Sequence, residues 1–382
     1  MKRLYLGTIF IMTVTHRTQS ITSTQRDAWI EINLSALERN FKELKRLLNT
    51  NIMAVVKADA YGHGATALAP ILQSLGVYSF GVATVDEGVE LRNCGIKVPI
   101  VILGATPFWA YETCYKNNLT ITIYSEDQIP QLEDLGKKID SKITVQLKID
   151  TGMNRLGIDF TNASKTIDKL LDSSPEMENC LKLTGVFSHL SDVKDYKFSK
   201  LQKERFDNAV SRCQDIGTQT HIANSYAAVN YPEFRYDLVR IGIALYGQEF
   251  NFLEPLVSVK GRITEIHKVF KGEYVSYERT WTTNRDSIVA TVPIGYADGI
   301  DRNLSNKISA MYKNKEVKQV GTITMDQIMF DITDIKDPQV NDVITLIGKE
   351  MPISAWAEKL NTITYELLCR LKMRLPRVYT RD

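Results

Sequence analysis

Several polar residues in this chain follow short apolar runs, and each has a side chain able to attack, hold or neutralise a small charged molecule. Lys57 ends the run Ile52, Met53, Ala54, Val55 and Val56; Arg155 lies just beyond the run 143–149; His189 follows 183–188; Asn224 and Ser225 follow 220–223; Arg240, Gly242 and Ile243 fall within 238–245. Such runs read as strands buried on both faces. A charged group at the C-terminal end of such a strand is where α/β enzymes place their chemistry. Taken singly, each has a bland reading. Lys57 would snorkel out of a strand end, Asp150-Thr-Gly would be an ordinary turn, and His189 would be a satisfied core residue. Their shared position along successive runs is the informative fact.

The elements that must position them are legible too. Apolar runs at 52–56, 78–84, 98–104, 119–124, 143–149, 183–188, 220–223 and 238–245 alternate with helical stretches. Eight strand–helix units in roughly 200 residues fit a closed (β/α)8, TIM-like barrel better than an open doubly wound sheet. No Gly-x-Gly-x-x-Gly opens a helix after the first of these strands, which disfavours a dinucleotide fold. Ahead of them, 29–33 alternates like a strand, and Ser35 with Glu38 reads as a capping box opening a helix that carries Leu37, Phe41, Leu44 and Leu48. Near Leu253 the composition shifts to strands and turns, with alternation at 256–260, 288–292, 321–330 and 343–347. A short helix over 354–360 then precedes Tyr365. The basic run Arg370, Lys372, Arg374 and Arg377 reads as a solvated face, and Pro376 argues against one long terminal helix. The division expected is an extension over 1–26, the barrel over 27–250 and a mainly β C-terminal domain over 251–382.

Composition narrows the partners. Lys plus Arg number 47 against 45 Asp plus Glu, a formal charge of +2, so no global field favours nucleic acid or an anionic membrane and the expected partner is a small molecule. Cys94, Cys114, Cys180, Cys213 and Cys369 lack metal-ligand or redox-motif spacing, which points to reduced thiols and no metal site. Residues 1–26 begin with a basic pair, an apolar stretch over 4–14 and a polar tract, a weak likeness to a targeting peptide. No small-x-small cleavage site closes the stretch, and about 11 residues are too few to span a bilayer. A disordered or mis-started extension on a cytoplasmic protein is the expectation, with a periplasmic location the alternative should 1–26 act as an export signal.

Loops after the seventh and eighth barrel strands commonly build a phosphate site from backbone N–H groups and hydroxyls, and here they offer Ser225, Gly242 and Ile243. A lysine on one wall, a phosphate cradle on the other and an arginine between them is the layout pyridoxal phosphate needs. Lys57 must lose its proton to attack an aldehyde, which partial desolvation and the nearby Arg155 and Arg240 would promote.

With these residues in hand, the sequence resembles the alanine racemase family, pyridoxal-phosphate enzymes with a (β/α)8 domain followed by a β domain. The likeness runs from about residue 26 to 379. Its most specific block is 55–64 (VVKADAYGHG), supported by 148–155, Asn224-Ser225, 239–243, 275–277, 294–299, 325–327 and 366–379. The resemblance implies that Lys57 binds the cofactor covalently and that Tyr61, Asn224, Ser225, Gly242, Ile243 and Tyr365 line the phosphate end. It further implies that Arg240 faces the pyridine nitrogen, buttressed by His189. Arg155 would contact the cofactor's phenolic oxygen and the substrate carboxylate, with Met325 and Tyr296 also on the substrate side. Racemisation needs an acid/base group on each face of a planar intermediate: Lys57 would supply one, and the resemblance implies that Tyr277 of a second subunit supplies the other in a head-to-tail homodimer. Such an isomerase would supply D-alanine for cell-wall peptidoglycan.

Departures from the family pattern matter as well. Thr322 stands where an arginine is usual, Glu278-Arg279 where glycine is common, and Lys148 aligns with a lysine that some members carbamylate. Two alternatives therefore accompany this reading: a broader-spectrum racemase accepting serine or basic amino acids, and a non-catalytic pyridoxal-phosphate carrier, which would resemble the barrel alone.

Overall fold

The computed structural model describes residues 26–171, 180–213 and 217–382. The extension expected over 1–26 therefore lies, apart from Arg26, outside the described residues. Arg26 itself is anchored, its guanidinium 2.7 Å from the buried carboxylate of Asp298.

Parallel strands run in the order Leu238–Ile241, Asn51–Val55, Ser79–Val82 and Ile100–Ile102, and a second parallel set runs Ile121–Ile123, Ile143–Asp150, Leu181–Phe187 and Gln219–His221. A Val101–Thr120 bridge joins one seam. The Arg240 N–H donates to the Ala223 carbonyl at 3.0 Å across the other, closing the barrel. Each expected apolar run overlaps one of these strands. The runs are continuous because parallel barrel strands are covered by helices outside and by each other's side chains inside.

One strand lies elsewhere. Ala28–Asn33, expected at the head of the barrel domain, pairs antiparallel with Val257–Arg262 and parallel with Arg377–Thr380, so it belongs to the second sheet. Its alternation gives the physical reason: Ile30 and Ile32 are fully buried while Glu31 and Asn33 are partly exposed, the mark of a sheet with one wet face. The chain thus starts in the second domain, builds the barrel and returns. The following helix, Leu34–Leu48, is capped by Asn33, whose side chain accepts the Ala36 N–H at 3.0 Å; the Ser35–Glu38 capping box expected there is not the cap. Leu37, Phe41, Leu44 and Leu48 are buried as their spacing predicts.

The second domain is a nine-stranded sheet. Within 321–330, expected as one strand, only the end is extended, in Ile328–Asp331. The preceding loop turns at Gly321 (φ +76°), where a Cβ would sit 2.5 Å from the Val275 carbonyl, and it leaves Met325 half exposed. Two helices, Ile353–Leu360 and Thr364–Arg370, replace the single one expected, and the second carries Tyr365. The basic run is a solvated face at Arg370, Lys372 and Arg374, which are exposed, but not at Arg377, which is partly buried. Arg370 pairs with Asp301 and Glu366, Arg374 with Asp326, and Arg377 donates to the carbonyls of Gly62, Leu371, Lys372 and Leu375. Arg377 thereby ties the second domain to the loop after Lys57. One continuous apolar core joins the domains, running from Leu44 and Leu245 to Val259 and Leu346.

Cys94, Cys114, Cys180, Cys213 and Cys369 are free, with Cys94 and Cys369 exposed. Among the described residues no helix is long and apolar enough to cross a membrane.

Candidate active site

A cavity of about 850 Å³ opens at the C-terminal rim of the barrel. Lys57, Tyr61, Lys148, Arg155, His189, Asn224, Ser225, Arg240, Gly242, Ile243 and Tyr365 all line it, so residues spread over 309 positions of sequence (365 − 57 + 1) meet in one place. Each is delivered by a strand end or the turn after it, except Tyr365, which the second domain's helix Thr364–Arg370 lowers into the opening.

Backbone geometry around Lys57 is unusual. Ala58, Asp59, Ala60 and Tyr61 form a left-handed turn with φ between +51° and +54°. A non-glycine residue pays roughly 1–2 kcal/mol to sit there, so four in succession persist only where the surroundings hold them. The holders are visible. Glu87 accepts the Ala58 N–H at 2.7 Å, Asp59 accepts the Ala65 N–H at 2.7 Å, and His63 Nδ1 lies 2.9 Å from the Ala60 carbonyl. His63 is buried and stacked on Tyr246. Burial holds it near 4, so at neutral pH its Nδ1 carries a proton only as a neutral donor to the turn. The Lys57 amine enters the cavity with its pKa lowered, first by the loss of water around it and then by Arg155, against a smaller opposing effect from Glu87. A lowered value means more neutral amine at a given pH.

Arg240 sits at the centre of a network that the sequence shows only in part. Its guanidinium lies 3.0 Å from His189 Nδ1 and 2.7 Å from His221 Nδ1, and it donates to the carbonyls of Ser188 (2.7 Å) and Ile222 (2.9 Å). Arginine can only donate, so both imidazoles present lone pairs at Nδ1 and carry their proton at Nε2. His221 Nε2–H then donates to Gln146 Oε1 at 3.1 Å. Both histidines are driven well below their ordinary values, by burial first and the Arg240 charge second. Burial pushes Arg240 down to about 9, which leaves it a cation at neutral pH. Phe187 floors this network, stacked on His221 at 4.9 Å with the Arg240 guanidinium 5.4 Å from its ring centre. Gln146, Phe187 and His221 were not singled out from sequence. They lie on three different strands, and only the closed barrel brings them together.

At the other end of the cavity are hydroxyls. Ser225 Oγ accepts the Gly242 N–H at 3.0 Å, and Asn224 caps the short helix Ser225–Asn230. A Cβ at Gly242 would stand 2.6 Å from the Tyr61 hydroxyl, so that hydroxyl can lie against the backbone only because residue 242 is glycine. Tyr365 closes the group, its ring 5.9 Å from that of Tyr61. Arg155 is set by the Asp150 turn, whose carboxylate accepts the N–H groups of Gly152 (2.8 Å) and Met153 (2.9 Å). Lys148 is 4 % exposed and lies over Phe187; burial, then Arg155 and Arg240, bring it down to about 8.

Three expected residues lie elsewhere. Tyr277, Tyr296 and Met325 sit on the second domain, 70 %, 40 % and 51 % exposed, and none reaches the cavity of its own chain. Thr322, the departure from arginine, is buried and holds the Tyr277 turn: its hydroxyl donates to the Tyr277 carbonyl at 2.9 Å. Glu278 has φ +63°, a conformation that suits glycine, and its carboxylate pairs with Arg302 at 2.9 Å.

An amine on a barrel strand end, a guanidinium fixed as a donor and a hydroxyl-lined cradle define a barrel enzyme that holds an anionic, carbonyl-bearing group. The chain belongs to the alanine racemase family: residues 32–249 match the family's N-terminal domain and residues 256–379 its C-terminal domain. It is 40% identical over 372 residues to an alanine racemase of Nostoc sp., which covers 92% of this chain and 95% of that protein. Among solved structures it resembles alanine racemase of Clostridium difficile 630, at TM-score 0.86 and 34% identity, covering 93% of this chain and 96% of that one. It also resembles alanine racemase from Bartonella henselae with covalently bound pyridoxal phosphate, at TM-score 0.83 and 32% identity, covering 92% of this chain and 99% of that one. The expected barrel-plus-β architecture and racemase class are borne out. The broader-spectrum and carrier alternatives find no support in these likenesses, and the second domain that a carrier would lack is present.

Proposed function

We propose that this chain interconverts L-alanine and D-alanine with pyridoxal phosphate attached at Lys57, and that the D-alanine serves peptidoglycan. The observation that carries the reading is the convergence of Lys57, Arg155, Arg240 and the Tyr61–Ser225–Gly242 cradle on one cavity. The donor set fits the cofactor: the hydroxyls of Tyr61, Ser225 and Tyr365 with the backbone of Gly242 and Ile243 would hold its phosphate, and Arg240 its ring nitrogen. Bound pyridoxal phosphate supplies an electron sink that acidifies the Cα–H of an attached amino acid.

This chain's residues do the rest. Arg240 is locked as a cationic donor and does not readily give up its proton, so it withholds full positive charge from the ring nitrogen. A weaker sink favours return of the proton to Cα over transamination. Arg155 holds the substrate carboxylate. Lys57, its pKa lowered by the cavity walls, takes or returns the proton on one face. Tyr277 of a second copy serves the other face, with Tyr296 and Met325 alongside it. The exposure of all three supports a head-to-tail homodimer. Lys148, buried and held near 8, presents enough neutral amine to take up CO2, and the resulting carbamate would neutralise Arg155.

Purified full-length protein incubated with L-alanine and pyridoxal phosphate should yield D-alanine by chiral chromatography, approaching equal amounts of the two enantiomers. L-serine and L-lysine run in parallel define the range. No D-alanine from a protein that shows the visible band of lysine-bound cofactor would sink the reading.

A further inference from the structure

The capping box at Thr84–Glu87 does more than start a helix. In such a box the glutamate normally reaches back to one N-cap N–H. Here Glu87 Oε2 accepts the N–H of Ala83 at 2.7 Å and of Thr84 at 3.3 Å, while Oε1 accepts the N–H of Ala58 at 2.7 Å. Ala83 follows the strand Ser79–Val82 and lines the cavity; Ala58 follows Lys57 and is the first residue of the left-handed turn. One carboxylate therefore fastens the ends of two adjacent barrel strands at the level of the lysine. Only a group with two acceptor oxygens and no hydrogens can do this, since a glutamine would turn its NH2 toward one of the backbone donors.

We propose that Glu87 is a positioning residue for Lys57: by holding the Ala58 N–H against the neighbouring strand end, it fixes the left-handed turn and thereby the direction from which the lysine amine enters the cavity. This rests on the reading of Lys57 as the cofactor-binding lysine. Its charge acts in the same place. The groups that act on the amine are Arg155 and Arg240, which disfavour the ammonium, and Glu87 and Cys369, which favour it, and the Lys148 amine lines the same cavity. Glu87 is the carboxylate in that set.

The test uses the full chain stripped of cofactor and reloaded with pyridoxal phosphate, following the visible band of the lysine-bound form by stopped flow between pH 6 and 10. Glu87→Gln should slow band formation at the plateau roughly tenfold or more, since small misplacements of a reacting group are costly. The half-rise of the rate should also move to lower pH, because the amine loses a negative neighbour. Thr84→Val is the control: it weakens the same helix start but leaves the Glu87–Ala58 hydrogen bond, and it should load with the wild-type rate and pH profile. Wild-type loading by Glu87→Gln overturns the proposal, as does a defect of equal size in Thr84→Val, which would assign the effect to helix stability. Should Glu87→Gln fail to fold, Glu87→Asp, whose shorter arm cannot span both strand ends, should show the same slowed band formation, while its retained negative charge keeps the half-rise near the wild-type pH; wild-type loading by Glu87→Asp overturns the proposal equally. A wild-type protein that forms no band, or forms it unchanged in Lys57→Ala, would instead overturn the reading of the site itself.

Discussion

The barrel rim and the outer face of the second domain make a useful pair. Beneath the rim Arg240 is enclosed and densely partnered, engaging two imidazoles and a set of carbonyls, and the backbone N–H after Lys57 is taken by Glu87. On the second domain Tyr277 is 70 % exposed, carried on a turn in which Ser276, Glu278 and Arg279 all have positive φ. A strained, well-tethered turn that displays an aromatic residue to solvent is unexplained within one chain. It makes sense if a second copy covers it, since strained conformations concentrate where function fixes them. On the function proposed above, the barrel is half of a catalytic centre, and the face that carries Tyr277 is the other half.

The largest effect expected lies on the barrel side. Lys57→Ala should abolish the visible cofactor band and lower alanine racemisation by about 10⁴-fold or more, because it removes attachment and one proton carrier together. Retained racemisation with no band would detach the chemistry from the barrel. Tyr277→Phe should keep the band and reduce racemisation by about 10²–10³-fold. Exchange of the Cα proton with D2O should fall far more for one enantiomer of alanine than for the other. An equal fall for both would place Tyr277 outside proton transfer.

The pairing of halves can be tested without a structure of the assembly. Lys57→Ala and Tyr277→Phe are each impaired alone, but in a hybrid dimer one of the two sites would have both residues intact. Random re-association of equal amounts should therefore restore roughly a quarter of the wild-type activity. If mixing restores nothing while the proteins exchange subunits, Tyr277 does not act across an interface.

Sequence disclosed the two halves unequally. Lys57, Arg155, His189 and Arg240 were legible because burial on both faces turns barrel strands into apolar runs, against which a terminal charge stands out. Tyr277 is one of 17 tyrosines on a surface with no such background, and only resemblance singled it out. His221 and Gln146 were hidden for another reason: their pairing with Arg240 depends on barrel closure, a contact between strands that no local pattern encodes. The left-handed turn was equally silent, since Ala58 to Tyr61 contain no glycine to announce positive φ. For Glu87 the motif was local and readable, but the partner of its second oxygen lay 29 positions away. The strand Ala28–Asn33 was read correctly as a strand and assigned to the wrong domain, although its alternation pointed to a sheet with one exposed face.

The smallest effect expected concerns whether the barrel half is electrostatically complete in a single chain. Lys148 is buried with a pKa of about 8 against an ordinary 10.5, so between those values the unfolded chain binds more protons than the folded one. Stability therefore rises with pH across that window, and the penalty for charging Lys148 is full and constant below pH 8. In CO2-free buffer, Lys148→Met should stabilise the protein to urea by of order 1–3 kcal/mol at pH 7, with the gain fading toward pH 10.5. Bicarbonate changes the comparison if the lysine takes up CO2, because the carbamate brings a negative charge beside Arg155. The wild type should then gain stability on addition of bicarbonate, with a 44 Da increment in intact mass (about one CO2 added), while Lys148→Met should gain neither. Equal responses of the two proteins would leave Lys148 a plain amine, and the charge of Arg155 would have to be balanced by substrate or by the second copy.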